Sequence, residues 1–156
     1  MAVTLRPARA SDAEELFAWR NDLYLVSRSS TGRGVSWEEH AAWLIRTLAD
    51  SDRCLLVIAV DGREGGAVRF DRRAPGEAVI SVYLLGPLTG RGAGVDAIRQ
   101  GCLYLQEAWG PTAVIAHVRD DNEPGRRAFA KAGFRPIAQD AGCPAGHSTF
   151  RRESRP

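Results

Sequence analysis

Lysine is almost missing from this chain: Lys131 stands alone against twenty arginines. With 19 acidic side chains the net charge is only +2, and the arginines are scattered, with close pairs at Arg72-Arg73, Arg126-Arg127 and Arg151-Arg152. Nucleic acid draws a strongly basic, clustered surface, so that partner class falls away and the arginine excess reads as compositional bias. Cysteine is also scarce. Cys54, Cys102 and Cys143 are odd in number and widely spaced, with no Cys-x-x-Cys, which points to reduced thiols in a cytoplasmic protein rather than a disulfide framework. No apolar run approaches the ~18–20 residues of a membrane span. Met1–Ala10 lacks the basic start and apolar stretch of a signal peptide. What remains is an ordinary globular composition, 44% hydrophobic and 26% charged. At 156 residues it suits one domain, long enough to bury roughly 68–70% of its unfolded surface without staples.

Val3–Arg6 alternates like a short strand that Pro7 ends. Ser11-Asp12-Ala13-Glu14 reads as a capping box opening a helix to about Arg20, with Leu16, Phe17 and Trp19 as its apolar side. Asn21–Val35 is long and without periodicity, more in keeping with a functional segment than a connection. A second capping box, Ser36-Trp37-Glu38-Glu39, starts a helix with Trp37, Ala41, Leu44 and Leu48 at helical spacing. The pattern then changes. Cys54–Val60, Gly66–Phe70 and Ala78–Leu85 read as three antiparallel strands, with Asp61-Gly62 as the first hairpin turn. A glycine-rich loop, Gly86–Gly94, feeds a helix with Val95, Ile98, Cys102 and Leu105 on one face. Thr112–Val118 is a strand, Asn122 or Asp121 caps a helix that Gly133 stops, and Phe134–Ile137 and His147–Arg151 close the chain as strands. The fold class is α+β, one domain over residues 1–156, without repeat or linker.

The loop Thr89-Gly90-Arg91-Gly92-Ala93-Gly94 lies between a strand and a helix. Glycines admit a ligand close to the backbone, and the helix start offers unpaired N–H donors and a positive dipole end. That combination suits phosphate. It is not a Walker A loop, which would end Gly-Lys-Ser/Thr, nor a Rossmann fingerprint, whose third glycine would fall at Val95. A glycine turn serving only to start the helix remains the plainer alternative. Downstream, Asn122-Glu123-Pro124-Gly125-Arg126-Arg127-Ala128-Phe129-Ala130-Lys131-Ala132-Gly133-Phe134 is a polar cap, a short helix and a Gly-Phe entry to a strand.

Together these two segments, and the order of elements from Val3 to Arg151, resemble the GNAT superfamily of acetyl-CoA-dependent N-acetyltransferases. The resemblance implies a mixed, mostly antiparallel central sheet flanked by about four helices. It also implies acetyl-CoA as cosubstrate, with no metal. Its pyrophosphate would lie on the backbone of Thr89, Gly90, Arg91, Gly92, Ala93 and Gly94, and its pantetheine arm would pair with the strand carrying Val82 and Leu84. Asn122 matches the family's Asn near the coenzyme and is equally a simple N-cap. Phe129 stands where many relatives carry a tyrosine that protonates the leaving thiolate. Phe129 has no proton to give, so Tyr83, Tyr104, Ser81 or water must act, the thiolate leaves unaided, or the domain binds coenzyme A without turnover.

Trp19-Arg20-Asn21 and Glu38-Glu39-His40, with Ile80–Leu84, are similar to a subgroup that acetylates amino sugars on nucleotide carriers in pseudaminic-type pathways. That makes the partner a small-molecule amine, bound through Arg20, Asn21 and His40, Arg20 offering a forked donor to an anion. The other acceptor class is a protein N-terminal amine. For the proton, His40 is one candidate and His117 a second, since imidazole titrates near neutrality. Glu77, at the start of its strand, is a third. Each is also explained as a structural residue. Cys143-Pro-Ala-Gly-His147 has metal-like residue types but lacks two further ligands at zinc spacing. Relatives of this size often pair as homodimers.

Overall fold

The computed structural model describes residues 1–27 and 32–154. In chain order the elements are β1 (Val3–Pro7), α1 (Ala13–Arg20), the single turn α2 (Leu23–Val26), α3 (Trp37–Ala49), β2 (Arg53–Val60), β3 (Arg63–Ala74), β4 (Glu77–Leu84), α4 (Ala93–Trp109), β5 (Ala113–Arg119), α5 (Glu123–Lys131), β6 (Arg135–Ile137) and β7 (His147–Arg152). One seven-stranded sheet runs β1-β2-β3-β4-β5-β7-β6. Every neighbouring pair is antiparallel except β4 with β5. That is the mixed α+β arrangement the motifs imply. Residues 28–31, within the aperiodic Asn21–Val35 segment, lie outside the described residues.

Strand alternation divides the side chains between two faces. Even-numbered positions of β4 and β5, among them Ile80, Leu84, Val114 and Val118, join Ile98 and Leu105 of α4 and Phe129 of α5 in the main core. The opposite face holds a smaller core of Leu16, Leu44, Leu55, Val57 and Ala67, against which Trp43 and Tyr83 pack. So α4 and α5 cover one side and α1 and α3 the other.

Two local expectations are corrected, and a third residue, Asn21, gains a structural contact beside the role expected of it. Ser11 does not cap the first helix. Asp12 is buried and its carboxylate is taken by Arg6 (2.8 and 2.9 Å) and the backbone N–H of Arg9 (2.8 Å), so a 3-10 turn covers Ala10–Asp12 and the α-helix begins at Ala13. Ser36 does cap α3, accepting from the Glu39 N–H at 3.2 Å. The buried stripe of α3, however, is His40, Leu44 and Thr47, while Trp37 and Leu48 are exposed. A one-residue rotation of the helix face explains it: His40 occupies the aromatic gap between Phe17 and Trp43. Third, Asn21 has a structural job. Its side chain donates to the Val35 carbonyl (3.0 Å) and accepts from the Val35 N–H (2.7 Å), closing the two ends of the segment it opens. Gly34 follows from this clamp, since a Cβ there would lie 2.1 Å from Asn21 Oδ1.

Candidate active site

β4 and β5 are parallel neighbours for only four residues, from Glu77 opposite Ala113 to Ile80 opposite Ala116. Beyond that level they part, while β4 stays paired with β3 through Leu84 and β5 with β7 through Arg119. The Leu85 N–H donates to the Gly65 carbonyl at 2.8 Å, toward β3. Backbone directions alternate along a strand, so Val82 and Leu84 aim their N–H and C=O groups at the fork. Above Ile80, β5 no longer supplies a ladder to this edge of β4, and such an edge has the geometry to pair with an extended amide chain.

The glycine loop stands at the mouth of this fork. Gly90, Arg91 and Gly92 all have left-handed backbone, φ 90°, 51° and 79°, a conformation that costs glycine nothing. α4 has Gly92 as its N-cap and no capping side chain. Among the described residues no acceptor takes the N–H groups of Gly92, Gly94 or Val95. A Cβ on Gly94 would meet nothing within 4 Å, and glycine inside a helix is otherwise unfavourable. The protein's own packing therefore gives no reason for this glycine, whereas a ligand seated on the helix N-terminus does. Thr89 is spent locally, its hydroxyl donating to the Gly86 carbonyl at 2.6 Å. Ala93 is buried beneath the loop. Arg91 is exposed and pairs with Asp61 at 3.3 Å. Asn122 caps α5 through Gly125 (3.1 Å). Phe129 lies in the main core, edge-on to Phe134.

On the α1/α3 face the fork is lined by other groups. Tyr83 is half-buried against the smaller core; burial pushes its phenol up, and the guanidiniums of Arg20 and Arg69 oppose part of that rise. It stays protonated near neutrality. His40, 4% exposed, is pushed down by burial and by Arg20, and its Nδ1 has no partner. Arg69 stacks over the Trp43 ring at 5.4 Å and reaches Ser81. Arg20 donates to the Arg33 carbonyl (3.4 Å). Arg20 thus lies within electrostatic reach of both His40 and Tyr83.

Glu77 is not with them. It lies at the other end of β4, seven residues or roughly 23 Å from Leu84, held by Arg73 (3.0 Å) and Arg151 (2.9 Å). The hydrogen bond from Arg73 and then Arg151 outweigh burial and keep its carboxyl below the ordinary range. His117, by contrast, is the first β5 residue past the last β4–β5 pair, level with Ser81. Its Nε2 is 3.0 Å from Asp140, which pairs with Arg73 at 2.8 Å. Burial pushes the Asp140 carboxyl up, but Arg73 and His117 hold it below its usual value. Asp140 and Arg73 escaped sequence reasoning: one lies in the β6–β7 loop and the other on β3, with no spacing that links either to His117. Cys143 and His147 share a turn in which the thiol faces the His147 carbonyl (3.5 Å).

Residues 2–135 match the acetyltransferase (GNAT) domain family. No curated protein matches the sequence. Among solved structures, the aminoglycoside acetyltransferase AAC(6')-Ib in complex with coenzyme A is 20% identical, with TM-score 0.83 over 97% of this chain and 95% of that one. A spermidine N-acetyltransferase SpeG chimera from Vibrio cholerae and hSSAT is 14% identical, with TM-score 0.81 over 98% and 96%. RimL, a ribosomal L7/L12 alpha-N-protein acetyltransferase in complex with coenzyme A, is 15% identical, with TM-score 0.82 over 99% and 95%. At these identities the likeness establishes the fold, and the family match over most of the sequence establishes the rest: the chain belongs to the GNAT acetyltransferases.

Proposed function

We propose that this acetyltransferase moves the acetyl group of acetyl-CoA to a primary amine on an acceptor that also carries an anion, an amino-sugar nucleotide being the best match. The observation that carries the acceptor class is Arg20 on the α1/α3 side, bonded to the Arg33 carbonyl and near enough to His40 and Tyr83 to act on both electrostatically. Among the described residues no carboxylate pairs with Arg20, while Asp71 is committed to Arg69 and Arg53, and Asp140 to Arg73 and His117. A polycationic amine would need free carboxylates; a phosphate or carboxylate suits a guanidinium fork.

When bound, acetyl-CoA supplies a thioester carbonyl that a neutral amine attacks with loss of the thiol. The uncapped start of α4 would hold its phosphates, and the open edge of Val82 and Leu84 would pair with its arm and place an N–H donor at the carbonyl oxygen. Asp140 is ionised, so it accepts the Nε2–H of His117 and leaves Nδ1 as the basic nitrogen. His117 then takes the proton from the incoming ammonium, with Asp140 orienting the ring. Tyr83 is the phenol nearest this chemistry along β4 and would return a proton to the leaving sulfur, a role Phe129 cannot fill from the core.

Release of free thiol from acetyl-CoA, measured with a panel of amino-sugar nucleotides, N-terminal peptides and polyamines, tests the assignment. Turnover confined to anionic amino sugars is expected, with KM raised at least tenfold in Arg20→Ala. Preference for spermidine-like amines would refute the acceptor class, peptide turnover would move it to N-terminal acetylation, and tight coenzyme binding without turnover would mark a binding module.

A further inference from the structure

The lone lysine and one of the last arginines meet on the side of the molecule away from the fork. Strand alternation turns Phe150 and Arg152 of β7 toward the α4/α5 layer, whereas Arg151 faces the other way and pairs with Glu77 and Glu153. Arg152 thus takes a position that the strand pattern reserves for an apolar side chain. It is 8% exposed and its Nε has no hydrogen-bond partner. No carboxylate among the described residues pairs with it. Its neighbour Cys102 shares a side-chain hydrogen bond with it but supplies no counter-charge, because burial pushes that thiol up to about 11. Arg152 opens on a cavity of about 200 Å³ lined by Arg99, Leu103, Lys131, Ala132 and Gly133. Arg99 crosses it to the Lys131 carbonyl (2.5 Å), which fixes the two helices' separation there. Neither Arg99 nor Lys131 has a carboxylate partner among the described residues.

Three cationic residues therefore line one cavity, and one of them, Arg152, is buried without a counter-ion, a state that proteins avoid by pairing. A cavity of this size has room for several waters at ~30 Å³ each, hence for a tetrahedral oxyanion and part of what it is attached to. We propose that this cavity is a phosphate-binding site, taking inorganic phosphate or a phosphate monoester between Arg99, Lys131 and Arg152. It is separate from the glycine loop: Arg99 and Leu103 lie six and ten residues along α4 from Ala93, roughly 9 and 15 Å at the helical rise. The site stands independently of the acceptor proposed above. Its consequence is to brace α4 against α5 and β7 when phosphate is present.

The test is titration of the full chain by calorimetry and thermal shift with inorganic phosphate and with glycerol 3-phosphate. Acetate and sodium chloride at matched ionic strength are the comparison arms, each with and without saturating coenzyme A. Phosphate binding that persists with coenzyme A present is expected, at least tenfold weaker in Arg99→Ala and in Lys131→Ala, whose side chains are at the surface. Arg152→Met should abolish binding and raise the melting temperature without phosphate, because it removes a buried unpaired charge. Tighter binding of the ester than of the free ion, or the reverse, identifies which source fits. The proposal is overturned if acetate or chloride stabilises as well as phosphate. It is equally overturned if coenzyme A abolishes the effect, or if the Arg99→Ala/Lys131→Ala double variant binds like the parent.

Discussion

Gly94→Glu separates a glycine kept for folding from one kept for a ligand. In the unliganded protein the new side chain meets no atom within 4 Å of its Cβ, and the backbone at 94 is ordinary helix. Replacing glycine within a helix gains up to about 1 kcal/mol, and a carboxylate in the first turn adds ~0.3–1 kcal/mol against the helix dipole. The two gains together are about 1–2 kcal/mol, so the variant should melt roughly 2–8 °C higher than the parent, at about 2–4 °C per kcal/mol for this chain length. Coenzyme binding should move the opposite way. A carboxylate ~5 Å from a phosphate, at an effective dielectric of about 20, costs ~3 kcal/mol, or more than a hundredfold in Kd. Thermal melting and calorimetry with acetyl-CoA measure both quantities on one preparation, and Gly94→Gln controls for bulk, with a smaller loss. A parent-like Kd in Gly94→Glu would refute the anion cradle. A melting temperature several degrees lower would refute the claim that the space is empty.

Asp140→Asn should lower kcat at least tenfold while leaving KM for acetyl-CoA near the parent value, and should alter the pH profile of kcat; an unchanged profile would remove His117 from the proton path. Asp12→Asn should cost about 2–3 kcal/mol at pH 7, since it strips a charge-assisted pair from a buried carboxylate. Arg6 holds that carboxyl below its ordinary value, so the contribution is present above the unfolded value near ~3.9 and lost as pH falls through the lower folded one. Denaturant melts of parent and variant should therefore converge as the pH is taken below the ordinary carboxylate range. His40 has the opposite chemistry but the same slope. Its imidazole is held neutral by burial, so stability is full above the ordinary value near ~6.5 and declines below it. His40→Phe, which keeps the aromatic contacts with Phe17 and Trp43, should flatten stability between pH 6.5 and 5; persistence of the slope would assign it to another group.

Local chemistry written in consecutive residues was legible from the chain alone. The Ser36 cap, the Asp61-Gly62 turn, the apolar runs of β2, β4 and β5, and the glycines ahead of α4 each act within a few residues, so propensity and periodicity expose them. The glycine loop and the helix it opens belong to the same class. Tertiary structure decided what depends on neighbours distant in sequence. Asp12 was lost as an ordinary second position of a capping box because Arg6 and Arg9 claim it. Asn21 was drawn off by Val35. The separation of Glu77 from His40 follows from which end of β4 each one meets. The fork itself is a matter of register: nothing in β4 or β5 announces that pairing stops after Ile80 and Ala116. His117 gains its partner from a loop 23 residues away. The composition fixed the single lysine and the arginine excess as a number, but only packing sorted those arginines. Most are paired at the surface, while Arg152 is buried without a counter-ion because β7 turns alternate side chains inward whatever their charge.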